Sequence, residues 1–371
     1  MVKCLTNDLE VPSDVDFVIE GYIDPSEELV LEGPFGDHTG FYSLADFYPR
    51  FHVTCITHRK DAVYPATIVG IPPMEDGWIG KATERIFLNP IKTTAVPELL
   101  DMVMPGEGVF HNIAIAKIKS TYPGHALKVM NALWGAGQMM FNKILIVTGE
   151  EVDIHDYRQV MDAVLQRVDL ATDLHFSTGP LDVLDHSGRK FAFGSKMGID
   201  ATGDILPEIP DPLVLKNDLL QRFPEIRSVN DEFIQRCRGV LILSIEKTEK
   251  DQVKKIANQL LEQGLIRNVS WLVVTDSPLD LSVLNLVTWI AAGNIDPQRD
   301  CYLNGKTLVL DATRKSSVLD DFSRDWPNVL VMDDDTIHLV DQKWNTLGLG
   351  SFIASPSLAL RGMALHNKAI F

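Results

Sequence analysis

Two carboxylates, Glu32 and Asp37, flank a Gly-Pro-Phe-Gly bend in the stretch LEGPFGDHTG (31–40), and the aromatic pair Phe41-Tyr42 follows directly. Pro34 fixes its own backbone, while Gly33 and Gly36 permit turns that other residues resist. Placed five residues apart across such a bend, both carboxylates can face one cavity. Two adjacent carboxylates, or one buried against Phe35 and Phe41, would have a raised pKa in at least one member. A group of that kind can donate a proton near neutral pH. The same stretch also reads as a solvated acidic turn, and the residues alone leave both readings open.

Lys143 opens the apolar strand KILIVTG (143–149). It reads either as a strand-end lysine whose stem lies along apolar surface or as a functional cation. The ten histidines include no H-E-x-x-H and no H-x-H pair, and structural or surface roles are expected for them. His52 and His58 share one strand face, which is too few ligands for a metal. No G-x-S-x-G and no P-loop occurs, and GDHTG and GAG lack the strand–glycine–helix context of a dinucleotide fold.

These residues sit in a chain of 371 residues, long enough for two or three domains. Hydrophobic residues make up 45% and charged residues 23%, as in an ordinary globular protein. A net charge of −17 argues against a nucleic-acid or anionic-membrane partner, because an acidic surface repels phosphate. Cys4, Cys55, Cys237 and Cys301 are far apart with no C-x-x-C pair, which points to a reducing compartment rather than a disulfide framework. No apolar run approaches the length of a membrane span. MVKCLTNDLEVPSD lacks a basic region followed by an apolar one, so no signal peptide is expected, and the expected location is cytoplasmic.

Residues 1–100 read mainly as strands and turns. DFVIEGYI (16–23) and RFHVTCITHR (50–59) carry strand composition, GIPPMEDGWIG (70–80) reads as a turn-rich connection, and the region suggests a small barrel. From about residue 111 the pattern alternates. NIAIAKI is a strand, GHALKVMNALWGAGQMM a helix, KILIVTG a buried strand, and DIHDYRQVMDAVLQRVD a helix with one apolar face at Ile154, Tyr157, Val160, Met161, Val164, Leu165 and Val168. Strand–helix alternation implies a parallel or mixed α/β sheet.

The chain also matches itself at a shift of 127 residues. IAIAKIKS (113–120) falls on VLILSIEK (240–247), and ILIVTGEEVDI (144–154) on WLVVTDSPLDL (271–281). The following helices coincide too, sharing Val160/Val287, Asp169/Asp296 and Asp173/Asp300, and GIDAT (198–202) resembles VLDAT (309–313). Two copies of one α/β unit are expected, joined by the Pro-rich LPEIPDPLVL (206–215). At the Lys143 position the second copy has Ser270, so the fold itself does not demand lysine there.

The segment NDLEVPSDVDFVIEGYIDPSEELVLEGPFGDHTGFYS resembles the central signature of the UbiD family of decarboxylases, which includes 3-octaprenyl-4-hydroxybenzoate carboxy-lyase. The resemblance continues through FHVTCITHRKDAVYPATIVGIPPMEDGWIG, YPGHALKVMNALWG, NKILIVTGEEVDIHD and GSKMGIDAT, covering roughly 1–205. The second copy resembles longer bacterial members linked to menaquinone biosynthesis. The fold implied is α+β to α/β: a partial split β-barrel followed by two related α/β units. Expected boundaries are 1–108 for the flavin-binding barrel remainder, 109–205 for the first unit, 206–230 for a linker and 231–371 for the second unit with its tail.

The resemblance further implies reversible, non-oxidative removal of a carboxylate from an aromatic or α,β-unsaturated acid in ubiquinone or menaquinone biosynthesis, using prenylated FMN and Mn²⁺. It assigns Asp37 as proton donor and Glu32 as its companion. Ile79 and Lys143 border the flavin, and Glu75 flanks the substrate pocket with Ile79. The family's metal ligands, most flavin-phosphate contacts and its catalytic arginine have no counterpart in this sequence, which matches the C-terminal portion of a member. No metal ligand is therefore expected in this chain, and activity is expected to need an N-terminal half, carried on the same or on a separate chain. A homo-oligomer without nucleic-acid partners is expected. The rival readings are a non-catalytic oligomerisation or scaffold subunit, or an inactive fragment, and a carboxylase-direction relative such as a phenylphosphate carboxylase subunit.

Overall fold

The structure, a computed structural model, describes residues 1–208, 211–234, 239–364 and 369. Cys237, and Ile209 and Pro210 of the expected linker, lie outside the described residues. Six short strands come first: β1 (Val2–Lys3), β2 (Glu10–Val11), β3 (Phe17–Ile23), β4 (Val30–Glu32), β5 (Asp46–Tyr48) and β6 (Phe51–His58). They pair antiparallel as three two-stranded ribbons, β1 with β2, β3 with β6 and β4 with β5. β3 and β6 are the two strands expected from composition. No barrel closes among the described residues, and side chains such as Leu31, Phe47 and Ile56 stay largely exposed.

The segment after residue 75 departs from the sequence reading. Asp76–Thr94 is a helix of 19 residues, α1, where turns and strands were expected. Gly77, Gly80 and Pro90 all lie inside it, and each lowers helix propensity enough to hide it. Tertiary contact supplies the compensation, because Phe110 packs flat where Gly80 has no side chain.

Two five-stranded sheets follow. The first contains β7 (Leu99–Val103), β8 (Ile113–Ile118), α2 (His125–Trp134), β9 (Ile144–Thr148), α3 (Tyr157–Arg167), β10 (Leu174–Pro180) and β11 (Phe193–Ala201), in sheet order β10-β11-β9-β8-β7. After β12 (Leu213–Val214) and α4 (Lys216–Arg222) comes the second set. It comprises β13 (Ile226–Asn230), β14 (Val240–Ile245), α5 (Gln252–Glu262), β15 (Ile266–Arg267), β16 (Trp271–Asp276), α6 (Leu284–Asn294), α7 (Pro297–Asp300), β17 (Cys301–Asn304) and β18 (Thr307–Asp311). Its order is β13-β14-β16-β18-β17. In each sheet three central strands run parallel between two antiparallel edges. The tail carries α8 (Asp334–Lys343) and α9 (Ser357–Leu360).

The two sheets are the two copies expected from the sequence. Six elements of the second start 127 residues after their counterparts, from β7 and β13 at 99 and 226 to β10 and β17 at 174 and 301. Small details repeat as well. Asp169 and Asp296 each donate a backbone N–H to the carboxylate four residues on, at 2.8 and 2.7 Å. Asp200 and Asp311 each accept the hydroxyl of the threonine two residues on, at 2.7 and 2.5 Å. The expected boundaries shift at two places: β7 belongs to the first sheet rather than to the segment 1–108, and β13 to the second rather than to the linker 206–230. Both are short edge strands set off by a loop from the stronger central pattern.

Each sheet buries its own apolar layer under helices. Val129, Met130 and Leu133 of α2 cover the first, and Val253, Ile256 and Leu260 of α5 the second. A third cluster joins the copies, with Ile144, Leu165, Met197 and Ile199 packed against Trp271, Ile295, Leu308 and Leu310. Of the apolar face expected on the helix after Asp153, Ile154, Val160, Leu165 and Val168 are buried, whereas Tyr157 is exposed.

Candidate active site

The bend begins on an edge strand, where Glu32 pairs with Asp46. Gly33 has φ +90°, in the left-handed region, and leads into a cis Gly33–Pro34 bond. Ser43 closes the loop, its backbone N–H donating to Phe35 O at 2.7 Å while its hydroxyl accepts Phe35 N–H at 3.0 Å. The chain then makes a tight turn in which Gly40 N–H donates to Asp37 O at 3.1 Å. These bonds set Asp37 and His38 on the inner side of the bend, and Glu32 is left exposed.

Asp37 Oδ1 lies 3.0 Å from His38 Nδ1 and also accepts the His38 backbone N–H at 2.7 Å. The His38 contact holds the Asp37 carboxyl below its usual value. Burial works against a charged His38, yet hydrogen bonding and attraction to Asp37, with Asp182 and Asp76 nearby, hold its pKa above the ordinary one. The raised carboxyl pKa expected for the bend is therefore not found at Asp37: its hydrogen bonds to His38 outweigh desolvation. Asp76 takes that role instead, its pKa raised chiefly by burial.

His38 lines a cavity of about 540 Å³ between α1 and the first α/β unit. Its polar end gathers Asp76, Asp182, His111 and Asn142 around His38, and Ile79, Phe87, Phe110 and Met139 contribute to its apolar walls. The rings of His38 and His111 meet edge to face with centroids 5.4 Å apart. Burial lowers the His111 pKa to about 4, so the ring is neutral at pH 7. Its Nε2 stands 4.0 Å from Asp182 Oδ1 and, like Asn142 Oδ1, has no hydrogen-bond partner among the described residues. A cavity of this size with an apolar body and a few convergent polar groups is suited to a small organic ligand.

The five residues expected at the site are not all brought together. Ile79 lines the cavity, and Asp37 reaches it through His38. Glu32 is exposed outside it. Glu75 is exposed as well and accepts the Ile68 backbone N–H, which ties down the loop before α1. Lys143 is wholly buried elsewhere, bonded to Asp185 Oδ2 at 2.6 Å, Ser187 Oγ at 3.0 Å and Gly293 O at 3.3 Å. His38, His111, Asp76 and Asp182 were missed because they come from four separate segments. The nearest signal was the Asp-His pair at 37–38 itself.

A flavin phosphate needs cations or a row of free backbone N–H groups. At the polar end of this cavity the fixed charges include the carboxylates of Asp76 and Asp182, and the Lys143 ammonium is sealed away. Among the described residues no cluster of three or more His, Cys, Asp or Glu is placed to hold a metal ion. The residues present thus do not by themselves fit prenylated FMN or Mn²⁺. No helix among the described residues is long and apolar enough to cross a membrane.

Comparison with known proteins agrees with this architecture. The Rift-related domain profile of 3-octaprenyl-4-hydroxybenzoate carboxy-lyase matches residues 1–72, and the profile of the C-terminal domain matches 77–201 and again 208–318. An uncharacterized protein of Helicobacter pylori strain J99 is 38% identical over 333 residues, covering 88% of this chain and 53% of that protein. One from Archaeoglobus fulgidus is 50% identical over 203 residues, 54% of this chain and 42% of its own length. Among solved structures, vanillic acid decarboxylase from Sedimentibacter hydroxybenzoicus in open form is similar at 28% identity and TM-score 0.50, over 60% of this chain and 49% of that one. The UbiD-class enzyme HmfF from Pelotomaculum thermopropionicum in complex with FMN is 30% identical over 56% of this chain and 45% of its own, at TM-score 0.46. The chain spans about half the length of the curated relatives it matches. With the Rift-related domain profile matched over residues 1–72 and the C-terminal profile in two stretches beyond them, the chain belongs to the 3-octaprenyl-4-hydroxybenzoate carboxy-lyase (UbiD) family.

Proposed function

We propose that this chain supplies the proton-delivering wall of a decarboxylase that removes CO₂, reversibly and without net oxidation, from an aromatic or α,β-unsaturated acid in quinone biosynthesis. The observation that carries the reading is the Asp37–His38 pair at the edge of a 540 Å³ cavity. Loss of CO₂ leaves an electron pair on carbon, and that carbon must then be protonated. Asp37 Oδ1 and His38 Nδ1 stand 3.0 Å apart, and the contact favours a proton held between them, which makes the pair the proposed source of that proton. His111 and Asp182 orient a polar substituent, and Ile79, Phe110 and Met139 exclude water from the ring.

In this reading prenylated FMN would hold the electron pair. It and Mn²⁺ would be bound chiefly by groups outside this chain, either a separate N-terminal chain or an N-terminal half of the same enzyme. Leu31, Phe47 and Ile56 of the ribbons and Trp78 of α1 are exposed, which supports a further polypeptide over this part of the chain. A scaffold subunit would use the same exposed side chains, and they favour that second reading equally. A cytoplasmic homo-oligomer is the assembly proposed. The test is Asp37→Asn in the assembled enzyme with CO₂ release followed. Lost turnover with flavin retained supports the proton-donor role, whereas near-parent turnover removes it. A preparation of this chain that never turns over with any N-terminal partner supports the scaffold.

A further inference from the structure

No described residue of the second α/β copy lines the cavity, yet the copy holds the bend that does. Trp289 of α6 is buried, and its indole N–H donates to Thr39 O at 2.8 Å. Phe41 stacks on the Trp289 ring with centroids 4.7 Å apart and lies 4.4 Å from the His186 ring. Leu330 N–H donates to Gly40 O at 2.9 Å, and Tyr42 N–H donates to Asn328 O at 3.0 Å. A Cβ on Gly40 would stand 2.8 Å from the Trp289 ring, and one on Gly36 would stand 2.5 Å from the Leu330 side chain. Residues 36–42, the turn that carries Asp37 and His38, are thus gripped from the second copy and the segment after it.

The internal repeat shows that this grip is a specialisation. Trp289 stands 127 residues after Asp162, the counterpart position on α3. A half-buried aspartate there lets the first unit fold, so the unit does not need an indole at that position. The helices have diverged accordingly. α3 carries Arg158, Asp162 and Arg167, whereas α6 reads LNLVTWIAAGN and is buried at Val287, Trp289, Ile290, Ala292 and Gly293. Its outer face lies in one apolar cluster with Phe41, Ile71 and Val329.

We propose that the second α/β copy serves as the seat of the proton-donor bend and that Trp289 is a positioning residue, acting through Thr39 and Phe41 on Asp37 and His38. The catalytic meaning of the seat rests on the reading of Asp37 given above, but the seat itself does not. Without the indole hydrogen bond and ring, the turn gains freedom, and the Asp37–His38 contact is made for a smaller fraction of the time.

The test uses the chain with Trp289→Phe, which keeps a ring and loses the donor, and Trp289→Leu, which loses both. Two readouts are followed by NMR: amide exchange at Gly40, whose N–H closes the turn, and titration of the His38 ring, which faces Asp37, Asp76, Asp182 and His111. Expected is Gly40 exchange faster by about tenfold in Trp289→Phe, the scale of one lost buried hydrogen bond. In Trp289→Leu exchange is faster still, and the His38 titration moves down from its raised value. Asp162→Asn on the counterpart helix leaves both readouts unchanged. A folded Trp289→Leu with parent exchange and titration overturns the proposal. If that variant does not fold, unchanged readouts in Trp289→Phe overturn it equally. An active Asp37→Asn enzyme would instead remove the catalytic reading while leaving these two readouts as predicted.

Discussion

Asp37 and His38, adjacent in the chain, also meet side chain to side chain at 3.0 Å, and the ring of His38 forms part of the cavity wall. Their shifts have opposite signs, so their linkage windows differ. The raised His38 pKa contributes stability fully present below its unfolded value of about 6.5 and lost as pH rises through the folded one. The lowered Asp37 pKa contributes stability present above about 3.9 and lost as pH falls through the folded value. The pair is therefore tightest between those limits. Asp37→Asn is expected to move the His38 titration, read by NMR, to lower pH, because burial then acts with its main partner gone. An unmoved titration would show that the contact does not form in solution.

His111 and His186 work in the other direction. Both are buried, and burial lowers both pKa values to about 4. Unfolded, they take up protons near pH 6.5, so the unfolded state gains as pH falls from there to about 4. Stability measured by urea unfolding is expected to drop across that interval by about 2–3 kcal/mol for each ring, with the His38 contribution already complete at its upper end. His111→Asn and His186→Asn should each flatten the slope. A slope that persists in the double variant would place the acid sensitivity elsewhere.

Lys143 was expected at the flavin and is found bonded to Asp185 and, across the unit boundary, to Gly293 O. The ammonium is fully buried, and the Asp185 carboxyl is held far below its usual value despite complete burial. Removing one member of such a pair strands the other, at about 3–5 kcal/mol. Lys143→Met is expected to lose stability on that scale in urea unfolding, with the junction of the two copies loosening first. A variant of unchanged stability that fails only to hold flavin would restore the cofactor role and refute the structural one.

Much of this architecture was legible in the chain, and the reasons differ by element. The repeat was visible because central strands and covering helices keep their apolar period without a gap, from Ile113 onto Val240 and from Ile144 onto Trp271. β7 and β13 were not, since a five-residue edge strand shows little beyond local composition. α1 was hidden by Gly77, Gly80 and Pro90, whose cost is met by packing that no local window contains. The bend at Asp37 stood out through its own residues, but its partners could not. His111 and Asp182 reach it by strand and loop placement, and Trp289 through the fold of the second copy. The role expected of Lys143 followed from likeness of sequence, which does not report how deeply a side chain is buried.

Gly80 sets two known effects against each other. Alanine in a helix interior is favoured over glycine by about 1 kcal/mol. A Cβ here, however, would stand 2.5 Å from Phe110 Cδ1 and 2.7 Å from Cε1, so the ring would have to turn toward the cavity. Phe110 is part of the cavity wall, and overpacking of this kind costs about 1–3 kcal/mol. Gly80→Ala is therefore expected to be destabilised by roughly 1 kcal/mol net and, on the function proposed above, to bind an aromatic acid more weakly. Urea unfolding and a binding titration on the same preparation separate the two effects. A stabilised Gly80→Ala with parent binding would mean that the Phe110 wall yields easily and does not shape the cavity.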